Sequence, residues 1–226
     1  MSEPDVTLTD YGLAIECAIC AVLLGLTASN RKGLRIAGMC FFVSLGLGAV
    51  TGGTVHGFCP DRESPACALL WKLTLESVGL AAFSAWILGA NTVASGRAGH
   101  WLALAAIPQI VIYCPLVFLV TQEFWVALTI YVPAALLLLA GFCRRGWEGH
   151  RFLLVGATGS VLSLLSSFLQ FMRIGIDPVY FNHNALAHVV QAVALALIYR
   201  GIRVVIGPGF TSWPANRPGD VSPSRT

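Results

Sequence analysis

The stretch Phe181–Gly201, FNHNALAHVVQAVALALIYRG, decides how the chain folds. From Ala192 to Ile198 it is apolar enough to lie in lipid, yet it opens on Asn-His-Asn and sets a second histidine at His188. Imidazole and carboxamide groups at the mouth of a membrane helix cost free energy unless they are paired. The segment reads as a membrane helix whose polar opening is either a helix cap at the interface or part of a site.

The rest of the chain supports the membrane reading. Of its 226 residues 56% are hydrophobic and 11% charged, against about a quarter charged in a soluble domain. Apolar runs of about 20 residues, enough to cross a bilayer, recur seven times. They are Tyr11–Ser29, Leu34–Phe58, Ala66–Ala90, His100–Val120, Glu123–Phe142, Phe152–Met172 and Asn184–Ile206. The expected fold is an all-α, seven-transmembrane helix bundle occupying residues 1–206. The Pro-, Gly- and Ser-rich tail at 207–226 is expected to be disordered. Met1–Asp10 is acidic, whereas a signal peptide opens on basic residues, so no cleaved leader is expected.

Charge sets the orientation. Arg31, Lys32, Arg35, Arg97, Arg144, Arg145, Arg151, Arg200, Arg203, Arg217 and Arg225 all fall on one side of the seven spans. The other side has Arg62 and Arg173, outnumbered by Glu3, Asp5, Asp10, Asp61, Glu63, Glu123 and Asp177. The positive-inside rule puts the N-terminus outside and the C-terminus inside a plasma or bacterial inner membrane. The net charge of +3 comes from the inner excess and implies contact with anionic lipid, not nucleic acid. Cys59 and Cys67 flank an outer loop, where they are either bridged or free.

With the topology fixed, the polar residues inside the spans can be compared in depth. Glu16 lies near the outer end of span one and His56 at the outer end of span two. Lys72 and Glu76 lie in the outer half of span three. His183, Asn184, His188 and Gln191 open span seven. Ser163, Ser167 and Gln170 share one face in the outer half of span six. The inner halves carry little of the kind. Singly, each has a bland explanation. Lys72 and Glu76 are i, i+4 and can neutralise each other; Glu16 can act as packing glue; Gly48 and Gly52 form a GxxxG contact face. Collected at one depth, they mark a site.

Three imidazoles at that depth suggest a metal. A catalytic zinc takes three protein ligands and keeps a fourth position for water. His56, His183 and His188 would be the ligands, with Glu76 as general base or orienting partner. His183 and His188 are about 140° apart around an ideal helix, so both face one ion only if His183 precedes the regular turns. A two-histidine site completed by a carboxylate is the alternative. A titrating cluster of Glu16, His56, Lys72 and Glu76, as in a proton-linked transporter, is another, and a structural bundle held by the polar layer a third.

The pattern also resembles the CREST superfamily of alkaline ceramidases, progestin and adipoQ receptors and GPI-remodelling lipid hydrolases. There, span two carries a Ser four residues before a His, span three an Asp, and span seven an HxxxH. Here the span-two histidine corresponds to His56, with Gly52 at the Ser position. TLESVGLA resembles the span-three motif, with Glu76 for Asp. The second span-seven histidine corresponds to His188, with Asn184 at the first and His183 beside it. The resemblance implies zinc-dependent hydrolysis of a lipid amide or ester bond, with Thr51 or Thr54 serving the oxyanion. Other seven-helix classes are excluded: the only lysines are Lys32 and Lys72, so no Schiff-base lysine stands in the last span. The Asp-Arg-Tyr and Asn-Pro-x-x-Tyr motifs of common G-protein-coupled receptors are missing.

Overall fold

The computed structural model describes residues 2–61, 63–178 and 180–210. Among them are eight helices and no strand: α1 (Pro4–Leu26), α2 (Lys32–Phe58), α3 (Pro65–Val93), α4 (Gly96–Leu104), α5 (Ala106–Leu119), α6 (Phe124–Trp147), α7 (Leu153–Phe171) and α8 (His183–Ile206). With α4 and α5 taken as one broken span, seven helical segments are long and apolar enough to cross a membrane. The break has a local cause. Pro108 lacks an N–H, and its ring excludes the carbonyl four residues back, at Leu104, where α4 ends. The Trp86 indole donates to the Leu102 carbonyl at 2.7 Å beside the break.

Six helices form a ring in the order α1, α2, α3, α6, α7, α8, closed by contact of α8 with α1; α4 and α5 pack outside it on α3. Small residues allow the close seams. A Cβ on Gly159 would lie 2.7 Å from the Ala194 carbonyl oxygen, so α7 and α8 meet backbone to backbone. The Gly48–Gly52 face of α2 meets Thr74 and Ser77 of α3. Cys59 and Cys67 form a disulfide across the α2–α3 loop.

Several boundaries differ from the sequence reading by a few residues, and two of the differences matter for packing. α1 begins at Pro4, not Tyr11, because Pro suits a first helical turn and the Thr7 and Thr9 hydroxyls donate back to the carbonyls of Glu3 and Asp5. Asp5 and Asp10 are therefore helical. At the other end the fold continues beyond 206: Phe210 is buried, its ring 4.7 Å from that of His150 and under the Arg31 guanidinium at 4.6 Å. The rest of the expected tail, 211–226, lies outside the described residues.

Candidate functional site

The acidic end of the bundle holds a cavity of about 130 Å³, walled by α1, α2, α3, α6, α7 and α8. Most of its wall is apolar: Leu13, Leu45, Val78 and Leu195, with Trp71 and Phe124 toward the mouth. Asp10, His56 and His188 interrupt that wall, together with Tyr131, Gln170 and Gln191.

Asp10 owes its place to the face of α1 on which it lies. Val6, Asp10, Leu13, Cys17 and Leu24 follow helical spacing and all are buried. Its Oδ1 stands 3.4 Å from His188 Nε2. Its Oδ2 is buried and has no hydrogen-bond partner among the described residues. The other ring nitrogen of His188, Nδ1, is 3.2 Å from the Thr9 hydroxyl, so both nitrogens of this imidazole are held by α1. His56, in the last turn of α2, is paired through Nδ1 with the Glu3 carboxylate. Its carbonyl accepts from the Ser2 hydroxyl, and Trp71 meets the ring edge-on. Two imidazoles of the cavity wall are thus paired with carboxylates, that of Asp10 in the second turn of α1 and that of Glu3 immediately before the helix.

The start of α8 is pinned to the same segment. The Asn182 backbone N–H donates to Asp5 Oδ2 at 3.1 Å, and the Asn182 side chain caps the helix by accepting from the amides of Asn184 and Ala185. Gln170 donates to the Asn184 carboxamide oxygen at 3.2 Å. Deeper in, the Tyr131 hydroxyl bonds Ser163 at 2.7 Å and accepts from Gln191 at 3.4 Å. These bonds join α6, α7 and α8 around one polar patch.

The sequence-derived candidates divide between the cavity and other surroundings. His56, His188 and Gln191 line it, and Asn184 reaches it through Gln170. His183 begins α8 but does not line it. Glu76 is turned away: Thr74 and Val78 face the cavity, whereas Glu76, between them on the helix, meets the Cys114 thiol of α5. Lys72 does not pair with Glu76, and donates instead to the Phe118 carbonyl at 3.0 Å. Thr51 bonds Thr74 at 2.8 Å and Thr54 bonds the Tyr11 hydroxyl at 3.1 Å, both as helix-to-helix contacts. Glu16 lies half-buried on α1 away from the cavity wall.

These positions test the expected zinc. Among the described residues no three His, Cys, Asp or Glu side chains come together as a metal-holding group. His183 does not join His56 and His188, and the nitrogens of His188 already face Asp10 and Thr9. The three-histidine set does not fit a zinc ion here.

A second feature lies beside the cavity. An apolar groove of about 570 Å³ runs on the outer surface between α6 and α7, lined by Trp125, Val132, Pro133, Leu164 and Phe168. Leu128 and Ser167 belong to both the groove and the cavity wall, so the two adjoin through the α6–α7 seam.

The residues that the sequence reading passed over are Asp10 and Glu3, counted there only as extramembrane charge. The signal was present: the stripe Leu13, Cys17, Leu24 continues backward without interruption through Asp10 to Val6.

The chain belongs to DUF6962, a family of unknown function, which it matches over residues 6–206. No curated protein and no solved structure matches it.

Proposed function

We propose that this is a multi-pass protein of the plasma or inner membrane, N-terminus outside, whose outer-end cavity receives the polar head of a membrane amphiphile. The seven apolar segments and the one-sided distribution of arginines support the insertion and its direction. Asp10 carries the reading. A buried acceptor left without a donor costs about 1–3 kcal/mol. A hydroxyl, amide N–H or ammonium entering the cavity would supply that donor and offset the cost. The α6–α7 groove suits the tail of the same molecule, because it is apolar, faces lipid and abuts the cavity at Leu128 and Ser167.

A second reading, hydrolysis of that amphiphile's ester or amide bond, is favoured by the Glu3–His56 pair. A carboxylate at Nδ1 fixes the tautomer and orientation of a general-base imidazole. His56 would take a proton from water as it adds to the carbonyl carbon, and return it to the leaving oxygen or nitrogen. This reading needs no metal, because the paired imidazole itself moves the proton.

Labelling by a lipid with a photoactivatable acyl chain, with full-length protein in liposomes, tests the first reading. Label is expected in the peptides carrying Leu128 and Ser167, and Ser167→Trp should suppress it there. Even labelling of every lipid-facing helix, unchanged in the variant, rules the site out. Release of free fatty acid in the same liposomes, lost in His56→Ala, would establish turnover; labelling without release would leave a binding protein.

A further inference from the structure

A groove at the opposite, basic end is independent of the cavity. It has a volume of about 530 Å³ and lies between the first turn of α2, the second half of α3 and the α4–α5 break. Arg31 and His100 stand on its wall, and the remainder is largely apolar, with Phe83, Ile87, Leu104 and Ile107. We infer that this groove binds an anionic phospholipid of the inner leaflet, its phosphate against Arg31 and His100 and an acyl chain along Phe83, Ile87, Leu104 and Ile107.

Charge complementarity carries the argument. Arg31 and Arg145 approach the same Phe210 ring, at 4.6 and 5.7 Å. Arg145 is paired with Glu148 at 3.1 Å, whereas no carboxylate among the described residues pairs with Arg31. Burial, and then the charge of Arg145, lower the Arg31 pKa from its ordinary value, as expected of a cation short of counter-charge. Of the acidic residues described, Glu148 alone stands at this end, against Arg31, Arg35, Arg97, Arg144, Arg145, Arg151, Arg200 and Arg203. The shape of the groove selects a lipid over a free ion. An inorganic phosphate would satisfy Arg31 and leave the apolar trough uncovered, while a phospholipid matches both parts.

Native mass spectrometry of the detergent-purified full chain tests the assignment, with phosphatidylglycerol, phosphatidylcholine and inorganic phosphate titrated separately and in competition. Phosphatidylglycerol should bind in preference to phosphatidylcholine. Arg31→Ala should weaken it by about fivefold, the contribution of one basic side chain near an anionic surface. Leu104→Trp, which fills the trough and keeps Arg31, should weaken it too. Arg200→Ala, away from the groove wall, should leave it unchanged. Equal binding of the two lipids, or no change in either groove variant, overturns the proposal. Displacement of the lipid by inorganic phosphate also overturns it, in favour of a free-anion site.

Discussion

Arg145 at the basic end and Asp10 at the acidic end are among the most deeply buried charged side chains, 1% and 5% exposed. Their surroundings differ. Arg145 donates to the Thr92 carbonyl at 3.0 Å, to the Ser95 hydroxyl at 2.9 Å and to Glu148 at 3.1 Å. It ties α6 to the end of α3. Asp10 has one long contact to His188 and an oxygen with no donor, and it faces open space. A buried ionisable group bonded on each of its nitrogens is part of the scaffold; one whose oxygen finds no donor among the described residues, at a cavity wall, is suited to a ligand.

The contrast can be broken by substitution. Arg145→Ala should have the largest effect, about 2–3 kcal/mol, because the Thr92 carbonyl and the Ser95 hydroxyl lose this donor together, whereas Glu148 keeps Arg144. Thermal or denaturant unfolding in detergent measures it, and a loss below 1 kcal/mol would mean that Arg145 is no anchor. Gly52→Ser comes next. A Cβ at position 52 would lie 3.8 Å from Asp10 Oδ2, so a serine hydroxyl there can supply the absent donor. The variant should lose amphiphile labelling while its stability stays within about 1 kcal/mol of wild type, because the new bond offsets the 3.3 Å contact of the added Cβ with the Thr74 methyl; clearly lower stability with full labelling would show that the Asp10 oxygen needs nothing.

Tyr131→Phe removes the hydroxyl shared by Ser163 and Gln191 and should cost about 1 kcal/mol. The smallest effect belongs to Glu148. Burial pushes its carboxyl up, but the hydrogen bond from Arg144 and the charges of Arg145 and Arg144 outweigh this and hold it below the usual carboxylate range. Its folded pKa is depressed, so its contribution is present above the unfolded value and is lost as pH falls through the folded one. Glu148→Gln should flatten the acid limb of the stability profile below the ordinary carboxylate range. An acid limb identical to that of the wild type would contradict the pairing.

Much of this was legible before any coordinates. Apolar run lengths give the seven segments, and Pro108 in span four marks the break between α4 and α5. His56 and His188 are brought to one cavity because each stands at the same end of its helix. The partners were harder to read. Helical spacing puts Lys72 and Glu76 on one side of α3, but it does not say that this side meets α5 while Thr74 and Val78 meet the cavity. Asp10 was obscured by its neighbours: Glu3 and Asp5 gave Met1–Asp10 the composition of an exposed terminus, although its buried face continues the stripe of the first span.

The most direct test of the account is the labelling of Asp10→Asn by the photoactivatable lipid, compared with wild type at equal folded fraction. Asparagine keeps the size of the side chain and removes the carboxylate, so folding should be retained and labelling at the α6–α7 seam should fall about tenfold or more, the effect of losing one charge-assisted hydrogen bond. Labelling equal to wild type in a folded Asp10→Asn protein would contradict the claim that this carboxylate holds a ligand.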